Sequence, residues 1–157
     1  MNNLRQLVDD ATRDAIDQLV VGAVVHHGGQ ILILRRTADD FMGGIEELPS
    51  GGVEDGEDLL RALARELEEE IGWRHPPATA PGFVAAFDYT TGSGRAARQL
   101  TFALRAPDRA VTLSAEHTAY RWVDPADAEA TDLTPESVGT VRAWVEHAAR
   151  SPIDSGA

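Results

Sequence analysis

Glu66, Glu69 and Glu70 are spaced three and four residues apart. On a helix that spacing puts their carboxylates on one face, about 5–6 Å apart at Cβ. Bare carboxylates so close repel one another, by up to about 4 kcal/mol for a pair roughly 4 Å apart at an effective dielectric of about 20. A hard divalent cation turns that repulsion into attraction. Carboxylates, water and phosphate oxygens are the ligands Mg2+ prefers, so the cluster points to a metal and an anionic, phosphorylated substrate. The same residues also fit a solvated helix face laced with Glu–Arg pairs, for which Glu57, Arg61 and Arg65 are at hand. The helix alone leaves both readings open.

The elements that must position this cluster can be read from periodicity. Residues 57–71 form a helix by pattern, with Leu60, Leu63, Leu67 and Ile71 on one stripe and Gly72 where a C-terminal cap belongs. Before it, residues 35–56 are rich in Gly, Asp and Glu and read as a long loop, which in a compact domain is usually functional. Two apolar runs, 19–25 and 30–34, flank Gly28-Gly29 and predict a β-hairpin. Residues 83–89 and 99–104 predict paired strands across Thr91-Gly92-Ser93-Gly94, with Phe83, Phe87 and Tyr89 as core residues. Residues 120–123 read as a short strand ended by Asp124-Pro125. Pro135 opens a last helix with Val138, Val141, Val145 and Ala148 on one stripe. At the start, Leu4, Leu7, Val8, Ala11, Ala15 and Leu19 recur at helical spacing. His75-Pro76-Pro77 and Pro81-Gly82 punctuate a connector, and residues after Arg150 read as a frayed tail.

Composition removes several kinds of chemistry. The chain of 157 residues fits one domain, with 43% apolar and 25% charged residues. Its 26 acidic residues outweigh 14 basic ones for a formal charge of -12, which argues against binding a nucleic-acid polymer or an anionic membrane. Cysteine is absent, so disulfides, thiolate metal sites and cysteine nucleophiles are excluded. Lysine is absent too, which excludes Schiff-base lysines. The longest apolar run is far short of the ~20 residues that span a bilayer, and no signal peptide is visible, so the expectation is a cytoplasmic protein.

A wider spacing favours the metal reading. Gly51 is followed six residues later by Glu57, and eight residues after that begins Arg65-Glu66-Leu67-Glu68-Glu69-Glu70-Ile71-Gly72-Trp73. This resembles the Nudix box, G-x5-E-x7-R-E-U-x-E-E-x-G-U, with U a bulky apolar residue. Gly51, Glu57, Arg65, Glu66, Glu69, Glu70 and Gly72 fill all its fixed positions, Leu67 fills the first apolar place, and Trp73 stands where an aliphatic residue is commoner. The approach, from Arg35-Arg36 to Glu47-Leu48-Pro49-Ser50-Gly51, is similar to that of MutT-like nucleoside triphosphate pyrophosphohydrolases. Glu116, six residues before Trp122, matches a further glutamate of that subgroup.

The resemblance implies an α/β fold, an α/β/α sandwich with a central mixed β-sheet. Residues 1–18 would be a helical extension, 19–150 the hydrolase domain and 151–157 a flexible tail. It implies Mg2+ or Mn2+ held by Glu66, Glu69, Glu70, Glu116 and the Ser50 carbonyl. Glu66, Glu69 and Glu116 are the implied catalytic residues, with Glu66 or Glu116 taking the proton from water, and Arg35 is the implied nucleotide contact. Gly51, Glu57, Arg65 and Gly72 would be structural, with Gly51 and Gly56 supplying backbone shapes for the loop. The implied reaction is hydrolysis of a nucleoside diphosphate linked to X, foremost a (d)NTP or modified (d)NTP giving NMP and pyrophosphate. Nucleotide sugars, dinucleoside polyphosphates and a nucleotide-sensing role are the alternatives. Glu46 stands where the subgroup often has a large apolar residue, so base stacking is not expected there. Oxidised-guanine specialists read the base with an asparagine before the last helix; the stretch here is 134–137, and the only asparagines are Asn2 and Asn3. His117 reads as an ordinary surface histidine. Family members are often dimers, so a homodimer is the assembly to look for.

Overall fold

The computed structural model describes residues 4–39, 43–74 and 83–150. The connector prolines, Phe41, Met42 and the tail after Arg150 lie outside the described residues. In chain order the elements are α1 (Leu4–Arg13), β1 (Gln18–His27), β2 (Gln30–Arg36), β3 (Glu46–Glu47), β4 (Ser50–Gly52), α2 (Leu59–Ile71), β5 (Val84–Thr90), β6 (Ala96–Arg105), β7 (His117–Val123), a 3-10 turn over Pro125–Ala130, and α3 (Pro135–Arg150).

The seven strands form one sheet in the order β3-β2-β1-β6-β5, with β4 added to β1 and β7 to β2. β1 and β6 run parallel while the other pairs are antiparallel, which makes the sheet mixed. Its central strands are apolar on both faces because both are covered. Val21, Ala23, Val25, Leu32 and Leu34 meet Leu59, Leu63, Leu67 and Ile71 of α2 on one side. Val24, Ile31 and Ile33 join the core that holds Val141 and Trp144 of α3 on the other. That is the expected α/β/α sandwich. The β1–β2 hairpin turns on Gly28 and Gly29, both at positive φ, the pairing that a two-residue turn with right-handed strand twist demands.

Three departures from expectation bear on the site, beside smaller shifts such as β6 beginning at Ala96 instead of 99. The N-terminal helix stops at Arg13 instead of running to Leu19. Ala15 adopts a left-handed conformation, and from Gln18 the chain is claimed by nine residues of parallel pairing with β6. Residues 35–56 are not one loop. β3 pairs with β2 through Arg35 and Glu46, and β4 pairs with β1 through Val21 and Gly51. Neither Glu46-Glu47 nor Ser50-Gly51-Gly52 carries a strand signature; their neighbours' open edges make them strands. Finally, β7 begins at His117, not Tyr120, and a bulge between Arg35 and Arg36 shifts its register on β2. Among the described residues no helix is long and apolar enough to cross a membrane.

Candidate active site

The box helix α2 is locked by one arginine. Arg65 Nε and Nη2 donate to the two Glu57 carboxylate oxygens, each at 2.9 Å. Nη2 also reaches the Gly52 carbonyl at 2.9 Å, and Nη1 reaches Glu66 Oε1 at 2.8 Å. Glu57 further accepts from the Glu54 N–H at 3.0 Å. These bonds, led by those from Arg65, pull the Glu57 carboxyl down to about 2. The far end of the helix closes on Gly72, at φ 71, with N–H groups of Gly72 and Trp73 returning to Glu68 and Leu67.

Gly51 serves a purpose other than the expected one. Its φ is ordinary, whereas Gly56 sits at φ +75. What Gly51 gives is space: a Cβ there would collide with the Glu66 carboxyl. The glycine lets the β4 backbone lie directly against a box glutamate.

Glu70 is buried beside other acids. Its side chain is buried, with the residue 3% exposed, and its Oε1 accepts from the Ser50 N–H at 2.8 Å. Burial, reinforced by the charges of Glu47, Glu66 and Glu116, pushes its carboxyl up to about 9. Glu66 is raised as well, first by burial and against the pull of Arg65. Glu69, by contrast, has a 58% exposed side chain, 3.6 Å from Arg65 Nη1. Thus the three glutamates divide: Glu66 and Glu70 turn inward, one turn apart, and Glu69 faces out.

The strands supply partners that spacing did not reveal. Glu47 on β3 accepts from Arg36 Nη1 of β2 at 3.1 Å and from His117 Nε2 of β7 at 2.7 Å. Three neighbouring strands therefore bring Arg36, Glu47 and His117 together. His117 is buried, which corrects its reading as a surface histidine, and its Nδ1 has no hydrogen-bond partner among the described residues. One ligand atom from each of Glu47, Glu70 and His117 lies within 4.8 Å of the others, a group able to hold a metal ion. The Glu116 loop is tied to the end of α2 by Thr112 and Ser114 N–H groups bonding to Ile71 and Glu70 carbonyls. Glu116 itself is exposed, yet close enough for its charge to raise both Glu66 and Glu70.

The donor set suits a divalent cation. Four carboxylates converge, one of them costly to ionise in place, and oxygen ligands of this kind fit Mg2+ or Mn2+. His117 holds Glu47 rather than standing free, the usual task of a group that orients a ligand.

Beside this cluster lies a cleft of about 330 Å³, lined by Arg36, Glu47, Ser50, Phe87, Tyr89 and Glu136 among others. Phe87 and Tyr89 were expected in the core; they line the cleft because β5 runs on past the part of the sheet that α3 covers. Only Phe83 of the three is buried in the core. A larger, shallow hollow of about 1110 Å³ between α1 and the loop before α2 contains none of Glu47, Glu66, Glu70 or Glu116.

Arg35 is placed beside the cleft, not on its wall. Its Nη1 donates to the Gly44 carbonyl at 2.5 Å, and Nη2 lies 3.1 Å from Asp132 and 3.6 Å from Glu46. Glu46, 3% exposed, also takes two 2.8 Å bonds from Arg121 and one of 2.9 Å from the Asp132 N–H. The position that resists base stacking is thus an ionic clamp joining β3, β7 and the segment before α3.

Residues 17–144 match the NUDIX domain family. Over 136 residues the chain is 35% identical to the CTP pyrophosphohydrolase of Escherichia coli (strain K12), covering 86% of this chain and 96% of that one. A shorter match of 55 residues, 42% identical, links it to the 8-oxo-dGTP diphosphatase of the same organism, over 35% of this chain and 43% of that one. The solution structure of the E. coli ORF135 protein superposes with a TM-score of 0.68 at 31% identity, over 86% of this chain and 93% of that chain.

Proposed function

This chain belongs to the Nudix hydrolase family, and from that premise we propose that it hydrolyses a nucleoside triphosphate, or a modified one, to the monophosphate and pyrophosphate. The observation that carries the reading is the buried Glu70 carboxylate, within 4.8 Å of ligand atoms of Glu47 and His117 and close enough to Glu66 and Glu116 for their charges to raise it. A protein has little reason to bury carboxylates against one another unless a cation compensates them.

Glu47, Glu66, Glu70 and Glu116 would hold the cation, with Glu69 on the exposed flank of α2 and the Ser50 carbonyl as further contacts and His117 orienting Glu47. When bound, a divalent cation neutralises phosphate charge and makes water a better nucleophile. The protein's own residues do the rest. Arg36 in the cleft, with Arg35 on the adjoining clamp, provides positive charge toward the phosphates of an otherwise acidic molecule. Glu66 or Glu116 receives the proton as water attacks one phosphorus and the P–O bond to the leaving pyrophosphate breaks. The Glu57–Arg65 pair keeps α2 and β4 in register so that Glu66 stays against Gly51. Names of the relatives direct the substrate search to CTP first, with 8-oxo-dGTP second because residues 134–137 lack the asparagine that oxidised-guanine specialists use. The family's habit of dimerising makes a homodimer the assembly we propose to check by sedimentation.

The test is pyrophosphate release from a panel of canonical and oxidised (d)NTPs, nucleotide sugars and dinucleoside polyphosphates, with Mg2+ and with Mn2+, wild type beside Glu69→Gln. Metal-dependent release of pyrophosphate from a triphosphate, reduced at least ~10-fold in the variant, is the expected outcome. Turnover of only the sugars or dinucleotides would move the substrate; binding without turnover would make the domain a sensor.

A further inference from the structure

The aromatic wall of the cleft is backed by an element that the proposed chemistry leaves out. Helix α1 precedes residue 17, where the match to the NUDIX domain begins. Leu4 and Leu7 pack on the α2-side core, and Ala11 is buried. The chain after α1 is stapled to the start of β6. There the Asp17 N–H donates to the Ala96 carbonyl at 2.9 Å, and Asp17 Oδ2 accepts from the Ala96 N–H at 3.1 Å.

Arg98 of β6 joins this end of α1 to β5. Its Nε and Nη2 donate to Asp88 Oδ1 and Oδ2 at 2.7 and 3.0 Å, a two-bond fork that fixes direction as well as distance. Nη2 also donates to Asp14 Oδ2, one residue past α1, at 2.9 Å. Asp88 and Arg98 stand directly opposite each other in the β5–β6 ladder.

Where Asp88 sits gives the fork its consequence. Side chains alternate along a strand, so Asp88 points away from the cleft while Phe87 and Tyr89, on either side of it, point in. Strand β5 ends the sheet, and β6 is its one strand neighbour among the described residues. Holding Asp88 therefore holds the backbone between the two rings, which lie 5.9 Å apart. Phe87 also borders a second hollow of about 410 Å³, which Leu7 and Asp10 of α1 close from the other side. Asp88 is 53% exposed in its side chain. An ion pair so exposed adds little to stability, so the fork acts on placement.

We propose that Arg98 is a positioning residue for the substrate: with Asp14 and Asp88 it makes α1 a brace behind β5 that sets how Phe87 and Tyr89 meet the bound nucleotide. This rests on the pyrophosphohydrolase reading above and deepens it.

The experiment measures kcat and KM with Mg2+ for CTP, or for whichever triphosphate of the panel wild type cleaves best. It uses wild type, Arg98→Gln, Arg98→Lys and Asp14→Asn, with a melting curve for each. Arg98→Gln is expected to raise KM by roughly 5- to 10-fold and to leave kcat within about two-fold, because the carboxylates of α2 are untouched. Asp14→Asn, which cuts only the link to α1, raises KM by roughly 2- to 3-fold. Arg98→Lys, a charge without the fork, falls between wild type and Arg98→Gln. The half-saturating Mg2+ concentration keeps its wild-type value in all three. If Arg98→Gln melts well below wild type, Asp14→Asn, at an exposed position, decides alone. An unchanged KM in Asp14→Asn would overturn the brace. A fall in kcat that matches the rise in KM would make Arg98 a stabilising residue only. Either result leaves the hydrolase reading intact. If wild type cleaves no triphosphate, that reading falls, and the assignment with it.

Discussion

Two acidic regions border the same helix and are built on opposite principles. Around Glu57 every carboxylate oxygen meets a donor, and the carboxyl is held down at about 2 by Arg65. Around Glu70 the neighbours are other acids, and the carboxyl is pushed up to about 9. Eight residues separate Glu57 from Arg65 in sequence, yet their pair is electrostatically complete and acts as a frame. The Glu70 region has Arg36 and His117 on Glu47 alone, and under the proposed function a divalent cation would supply the missing compensation. Residue type alone does not separate structural from functional glutamates; the partners do.

The comparison is broken most sharply by removing charge from each side. Glu70→Gln keeps an acceptor for the Ser50 N–H while removing the ionisable group. It is expected to cost about 10²-fold or more in metal-dependent turnover. At the same time it should stabilise the metal-free protein. A raised folded pKa means that the native state is penalised once pH exceeds the unfolded value near 4.5, increasingly so up to about 9. At neutral pH that penalty is on the order of 3 kcal/mol, so the variant should melt higher in EDTA by roughly 5 °C or more. Thermal denaturation checks the second effect and a pyrophosphate assay the first. A variant that loses activity and also melts lower would make Glu70 a structural residue.

Glu57→Gln should do the reverse on a smaller scale, with a modest fall in melting temperature and a lesser loss of turnover. Its pH signature is also opposite. A depressed folded pKa contributes stability above the unfolded value near 4.5, and that stability disappears as pH falls toward about 2. Melting curves of wild type and variant should therefore differ at pH 6 and converge only as pH falls through about 2. A constant gap across that range would remove the carboxylate–arginine pair from the frame.

How much of this was readable beforehand follows from where each residue sits. Glu57, Arg65, Glu66, Glu69, Glu70 and Gly72 are local to one helix and its approach, so fixed spacing exposes them. The core stripe of α2 was visible for the same reason, as was the layered fold that its apolar strands require. Glu47, Arg36 and His117 were hidden because they meet through the register of three strands, one of them two residues long. Gly51 was recognised but explained by backbone shape, and only the packed Glu66 carboxyl shows that space is what matters. Phe87 and Tyr89 look like core by composition; they line the cleft because the strand outruns the helix that covers its start. Glu46 was read as a lost stacking residue, and its ionic clamp depends on Arg121, distant in sequence.

The central claim is that burying Glu70 among other carboxylates raises its carboxyl and readies the site for a cation. Calorimetric titration of Mg2+ into the metal-free protein at pH 7, repeated in buffers of different ionisation enthalpy, counts the protons released on binding. The account predicts release of about one proton per site in wild type and close to none in Glu70→Gln. Metal binding by wild type without proton release would contradict it.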